Sequence, residues 1–296
     1  MSRRGGHSRP PRRFKIPSRN QSGGVFGIHI GTYSRERNQN AKVFSMKMTF
    51  IGTGSAFTLD NYQSNILLED GSKRLLLDCG GDVRFALRDI GLRMTDVTDV
   101  YISHAHADHI GGIEGLAFST YFHPDCKRPR LYVARQLATP LWSDSLAGGL
   151  RSIQGSPADM DTFFDVKRIR KNGHFEWAGH EFKIVQSIHI YDGLAISPSY
   201  GLMFEAGGVK YYWSADTQFA PNQLRDFYAM ADVIFHDCET SPFESGVHAH
   251  FRELCGLSDE TKAKMWLYHH QDGELLDAEA NGFRGFVERG QTFELE

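Results

Sequence analysis

No stretch of this 296-residue chain approaches the ~20 uninterrupted apolar residues that a membrane-spanning helix needs, which excludes a helical membrane protein. The N-terminus is basic but lacks an apolar h-region, so no secretory signal is expected. Cysteine is scarce, and Cys79, Cys126, Cys238 and Cys255 show no CxxC spacing. Reduced, mostly buried thiols in a cytosolic protein are therefore expected, rather than a disulfide framework. No internal repeat is apparent. A hydrophobic content of 41 % over this length is enough to bury a sizeable core in one large domain.

The small net charge of −3 hides a sharp division. Residues 1–45 carry ten Lys and Arg against one Glu, a net of +9, which leaves −12 for residues 46–296. The N-terminal block is rich in Arg, Gly, Ser, Pro and Asn and has no amphipathic period, so it reads as disordered. Met46-Lys-Met48 then begins the first convincing strand. The block is either a nucleic-acid-binding arm or an upstream extension of the reading frame, with synthesis starting at Met46 or Met48. Its lack of interleaved aromatics favours the extension.

His104-Ala-His106-Ala-Asp108-His109 packs four potential metal ligands into six residues after the strand-like run Val100-Tyr-Ile-Ser103. In extended backbone, residues two apart point the same way, so His104 and His106 can hold one ion together. The following Gly-Gly is expected to let the chain turn into a helix, with Asp108 and His109 at its start facing a second ion. Imidazoles with a carboxylate suit zinc, and a pair of ions suits hydrolysis of a phosphate ester. Further ligands are expected at distant strand ends. His189 follows Phe182–Ile188, Asp216 follows Val209–Ala215, and His269 follows Met265–Tyr268. Asp216 could bridge the two ions through its carboxylate. His269 is preferred over His270 because strand alternation turns only one of the pair inward. Seven ligands result: His104, His106, Asp108, His109, His189, Asp216 and His269.

This ordered set resembles the metallo-β-lactamase superfamily over most of residues 46–296, as do Thr49–Ala56 and Leu75-Leu-Leu-Asp-Cys-Gly80. The resemblance implies an α/β fold, a four-layer αββα sandwich, with Asp78 supporting the metal site from behind. Gly52-Thr-Gly-Ser55 and Ser214-Ala-Asp-Thr217 resemble ribonuclease Z, the tRNA 3′-processing endonucleases. A closer likeness is to the anti-Pycsar phosphodiesterases, which degrade cyclic-nucleotide immune messengers. It rests on Tyr62–Asn65, Asp216–Asn222, Asp237–Phe243 and Lys264–His269. It implies a homodimer with two zinc ions per chain, or manganese in their place. The implied reaction opens 3′,5′-cyclic nucleotides such as cCMP and cUMP, and also cAMP and cGMP, in the cytosol of a bacterium or phage-infected host. Asp108 would orient or deprotonate the attacking water, as its counterpart does in related enzymes. His248 and His250 lie where ribonuclease Z carries a proton-donating histidine, and His250 aligns best, so it is the expected general acid.

A tRNA endonuclease is the second reading. The acidic core and the absence of a long basic arm count against it, because tRNA binding is dominated by neutralised phosphates. A non-catalytic metal-binding partner is the third, and the intact ligand set counts against that. Leu141–Gly155 is expected to be a lid or dimer contact, or else a plain surface loop with a short helix. His236 is read as structural, His123, His174 and His180 as solvated, and Tyr211-Tyr-Trp213 as core. Cys238 has no basic neighbour in sequence and is not read as a nucleophile. Helices are expected near 82–90, 222–230 and, after Asp277, near 277–287.

Overall fold

The computed structural model describes residues 46–295. The readings of the basic N-terminal block fall outside the described residues.

Sixteen strands are found among the described residues. They are β1 (Met46–Gly52), β2 (Asn65–Asp70), β3 (Lys73–Leu77), β4 (Asp99–Ile102), β5 (Arg130–Ala134), β6 (Ser152–Ile153), β7 (Ser156–Pro157) and β8 (Asp165–Ile169). Then come β9 (His174–Trp177), β10 (His180–Tyr191), β11 (Ile196–Ala206), β12 (Val209–Trp213), β13 (Val233–Asp237), β14 (Met265–Tyr268), β15 (Gly285–Phe286) and β16 (Thr292–Leu295). One seven-stranded sheet runs β16-β1-β2-β3-β4-β5-β8, and a second runs β15-β14-β13-β12-β11-β10-β9. Strands β6 and β7 form a small separate hairpin.

Side-chain alternation in the strands builds the layers. In β3, Leu75 and Leu77 enter the core between the sheets, where they join Met48, Phe50, Tyr101, Phe182 and Trp213. Leu76 points the other way, into a cluster with Val83, Leu87, Ile113 and Leu116 from the helices Val83–Asp89 and Ile113–Tyr121. In β12, Tyr211 and Trp213 face the inner core while Tyr212 packs with Leu224 and Tyr228 of helix Pro221–Met230. Runs such as Leu75–Leu77 are apolar at every position because both faces of these strands are covered. The result is helix, sheet, sheet, helix, and the expected four layers form.

Two expectations are corrected. The helix after Asp277 shrinks to a single 3-10 turn, Glu279–Asn281. Asp277 does accept from the Ala280 amide at 2.9 Å, as a helix start would, but Gly282 follows at φ +91° and ends the turn. The chain then adds β15 and β16 to the two sheets instead. Residues 141–150 are helical throughout, more than the short helix in a surface loop expected as one alternative, with Leu141, Leu146 and Leu150 buried in the outer core. The expected helices at the other two places form as Val83–Asp89 and Pro221–Met230, the latter with Pro221 in its first turn.

Candidate metal centre

The seven ligand-type side chains converge at one end of the sandwich. The segments after β4, β12 and β14 carry six of them and strand β10 carries His189, and the backbone enters the left-handed region at three positions around the centre. Asp78, Ala215 and His269 have φ of +61°, +52° and +67°, conformations that non-glycine residues hold only when their surroundings enforce them. His269 thus reaches the centre because it lies past the end of β14 in a left-handed turn, not because of strand alternation. His270 turns away, its Nδ1 donating to the Gln271 carbonyl. His189 does not close a strand as expected. It sits inside β10, at the register shift between Ile188 and Ile190, and the irregularity re-aims its ring.

The Gly pair after the motif acts differently from the sequence expectation. The helix Ala107–Ile110 begins before it, with His106 as N-cap. A Cβ on Gly112 would lie 2.4 Å from the Gly80 carbonyl oxygen, and one on Gly80 would lie 2.3 Å from that of Asp108. These glycines let the 79–81 turn and the motif loop touch.

Two donor sets share one atom. In the first, His106 Nδ1 lies 3.1 Å from both His104 Nε2 and His189 Nε2. Asp216 Oδ2 is 3.7 Å from His104 Nε2 and 3.9 Å from His189 Nε2. In the second, His109 Nε2 is 3.1 Å from Asp108 Oδ2 and 3.2 Å from Asp216 Oδ2, and His269 Nε2 is 3.5 Å from Asp216 Oδ2. Ligand bonds of about 2.05 Å in a tetrahedron place donors about 3.3 Å apart, so both sets fit an ion. The shared donor is the single oxygen Oδ2, whereas Oδ1 of Asp216 and Nε2 of His269 are buried without a hydrogen-bond partner.

A supporting layer settles which ring nitrogen faces inward. Ser103 Oγ gives its proton to Asp78, so it accepts from His104 Nδ1 at 3.0 Å. Ser64 Oγ gives its proton to the Gly54 carbonyl, so it accepts from His269 Nδ1 at 3.0 Å. His109 Nδ1 donates to Asp78 at 2.8 Å, and His189 Nδ1 to the Val247 carbonyl at 2.9 Å. Nδ1 of four imidazoles is thus engaged behind the centre, and Nε2 of each faces it.

Burial and neighbouring charges together set the protonation of the centre. Burial disfavours a charged His109, but Asp216, Asp108 and Asp78 outweigh it and hold the ring well above the usual histidine range. Burial opposes ionised Asp216 as well, yet His109 and His269 hold it well below the usual carboxylate range. Asp108, against the same opposition, is drawn down to about 2 chiefly by His109. Burial, helped by neighbouring histidines and opposed by Asp216, drives His104 well below the ordinary value and His189 down to about 4. Imidazole nitrogens around two carboxylates are a nitrogen and oxygen donor set suited to zinc.

The histidine expected as general acid is placed elsewhere. His250 caps helix Phe251–Leu254, its Nδ1 accepting from the Arg252 amide and its Nε2 donating to the Ser241 carbonyl, so both ring nitrogens are occupied by backbone. His248 faces the centre instead. Its Nδ1 is 2.8 Å from Asp237 Oδ2 and 3.8 Å from Asp216 Oδ2, and its ring centroid is 4.9 Å from that of His269. Burial opposes charge on His248, but Asp237 raises its pKa to about 9. Sequence reasoning missed Asp237, Ser64 and Ser103. Only position in the fold reveals them.

The remaining readings can be located. His236 is fully buried, its Nε2 taking the Tyr228 hydroxyl at 2.7 Å and its Nδ1 donating to the Asp237 carbonyl. Tyr211, Tyr212 and Trp213 are core. Cys238 is buried and its thiol is pushed well up by burial, which leaves it inert. All four cysteines are free; Cys126 and Cys255 are half-buried. His174 is exposed, and His123 and His180 are half-buried.

The sequence pattern of the family described as "Anti-Pycsar protein Apyc1" matches residues 46–293. The chain belongs to the Apyc1 family. An anti-Pycsar protein Apyc1 from Paenibacillus harenae is 37 % identical over 233 residues, 77 % of this chain and 90 % of that protein. One from Bacillus phage vB_BveM-Goe7 is 32 % identical over 259 residues, covering 84 % and 98 %. Among solved structures, the metallo-β-lactamase fold protein YhfI from Bacillus subtilis superposes on this Apyc1-family chain with TM-score 0.66 at 19 % identity, covering 84 % and 99 %. A diphosphatase of the PhnP family gives 0.65 at 18 %, covering 84 % and 96 %. The short human tRNase Z gives 0.61 at 15 %, covering 84 % and 99 %. These likenesses establish the metallo-β-lactamase fold, and the buried His and Asp clusters of this Apyc1-family chain are suited to holding metal ions. No helix among the described residues is long and apolar enough to cross a membrane.

Proposed function

We propose that this chain is a zinc-dependent phosphodiesterase that opens 3′,5′-cyclic nucleotides, including cCMP, cUMP, cAMP and cGMP, to nucleoside monophosphates. Through that reaction it counteracts Pycsar signalling in the cytosol. The observation that carries the reading is Asp216 Oδ2 standing in both donor sets, which supports two ions side by side. His104, His106, His189 and Asp216 would hold one ion. Asp108, His109, Asp216 and His269 would hold the other, and manganese could replace zinc. The chemistry such a pair supplies is acidification of water near neutral pH and neutralisation of charge on a phosphoryl group.

The chain's own groups account for the rest. Asp108, ionised and at the edge of the second set, orients or deprotonates the attacking water. His248 takes the role first expected of His250. It carries a proton at neutral pH because Asp237 supports the charge, and it donates that proton to the departing ribose oxygen. Asp78, Ser103 and Ser64 hold the rings in the orientation described above. The catalytic domain is residues 46–296 and assembles as a homodimer, with residues 1–45 as a dispensable extension.

Purified protein should be incubated with the four cyclic nucleotides and with a precursor tRNA. Release of nucleoside monophosphates with poor tRNA cleavage is the expected result. Efficient tRNA trimming with inert cyclic nucleotides would establish the endonuclease reading instead.

A further inference from the structure

A cavity of about 310 Å³ opens directly beside the first donor set, whose three imidazoles form one wall. Its other walls are of two kinds. Ile196 and Pro198, two apart at the start of β11, lie on one strand face. Opposite them, Gln136, Leu137 and Pro140 lie on one face of helix Arg135–Pro140. The volume is at the small end of the roughly 300–1,000 Å³ of small-molecule pockets, which suits a mononucleotide better than a folded RNA. The side-chain amide of Gln136 makes no hydrogen bond among the described residues, and Ser197 adds a hydroxyl at the same mouth.

Resting on the cyclic-nucleotide reading, we infer that this cavity is the nucleobase subsite, with Gln136 as the residue that reads the base edge. A phosphate held at the donor sets has this cavity directly beside it to enclose the rest of its substrate. Leu137 and Pro140 on one side and Ile196 on the other form an apolar slot for a flat ring. A glutamine amide offers both an acceptor oxygen and a donor nitrogen, and it can flip. It therefore accepts from the amino group of cytosine or adenine in one orientation. In the other it donates to the keto oxygen of uracil or guanine. One residue of this kind gives recognition of a base without preference for its identity.

The test is substitution of Gln136 by Glu, which keeps the acceptor and removes the donor. Gln136 is exposed, so the change does not endanger folding. Initial rates are measured on cCMP, on cUMP and on bis(p-nitrophenyl) phosphate, a phosphodiester with no base. The expected result is a shift in the ratio of kcat/KM for cCMP over cUMP, in favour of cCMP, by at least about five-fold. Ile196→Ser should raise KM for both cyclic nucleotides relative to bis(p-nitrophenyl) phosphate. Wild-type protein that hydrolyses both cyclic nucleotides, with a cCMP to cUMP ratio unmoved by Gln136→Glu, overturns the subsite alone. Wild-type protein that hydrolyses only bis(p-nitrophenyl) phosphate overturns the substrate class, and the subsite with it.

Discussion

His248 meets Asp237 at 2.8 Å, and this pair stands where the second donor set opens toward solvent, the ring 17 % exposed and the carboxylate fully buried. The carboxylate keeps the imidazole charged, and the imidazole lies outside the two donor sets that share Asp216 Oδ2 with the motif residues, although it groups with Asp216, Asp237 and His269. His248→Asn should therefore lower kcat by about 10²–10⁴ while leaving metal content at the wild-type level. Elemental analysis run alongside the kinetics separates the two effects. His250→Asn keeps an N-cap residue on helix Phe251–Leu254 and should remain close to wild type in turnover.

The same pair predicts a pH limb. A proton donor works below its pKa, so turnover should decline as pH rises through about 9, the value to which Asp237 raises His248. The limb should be absent from His248→Asn. An identical basic limb in both proteins would assign it to another group.

Metal content should be about two ions per chain, because two sets share Asp216. Asp216→Ala should deplete both positions, whereas His189→Ala should deplete mainly the first. Asp78→Asn leaves every ligand in place but weakens the acceptor behind His109, and should reduce metal affinity by about 10–100-fold. Competition with a chromogenic chelator measures each of these.

Much of this centre was legible in the chain, and the limits of that legibility are physical. His104 through His109 lie within a few residues and declare themselves by spacing. His189, Asp216 and His269 were legible as polar residues ending apolar runs, although the bulge at His189 and the left-handed turn at His269 were not. His248 and His250 could not be separated, since both lie in a loop and only the cap on Phe251–Leu254 shows which ring is already engaged. The helix after Asp277 failed because local signals favoured a start, and sheet pairing of β15 and β16 overrode them.

His236 offers a test of stability against pH. Burial holds its folded pKa below the unfolded value of about 6.5, so the unfolded chain binds the proton first. Its contribution is complete above that value and is lost as pH falls below it. Thermal denaturation of wild type should show a steeper loss between pH 7 and pH 5 (roughly the span over which histidine charges) than His236→Gln does. Parallel slopes for the two proteins would count against this assignment.

Deletion of residues 1–45 should leave melting temperature and turnover essentially unchanged, since the first strand and the family match both begin at residue 46. A marked loss of either would show that the block contributes to the folded domain.

The donors of each set come from both sheets: the motif loop follows β4 in one, while His189 lies in β10 and Asp216 and His269 follow β12 and β14 of the other. The first set spans residues 104–216 and the second residues 108–269, so neither can form from the strands of one sheet alone. During synthesis the centre must wait until His269 has left the ribosome, so a prematurely terminated chain is silent rather than partly active. An ion, once seated, fastens the two halves of the sandwich at their open end like a clasp, and chelators should loosen the whole protein rather than one loop.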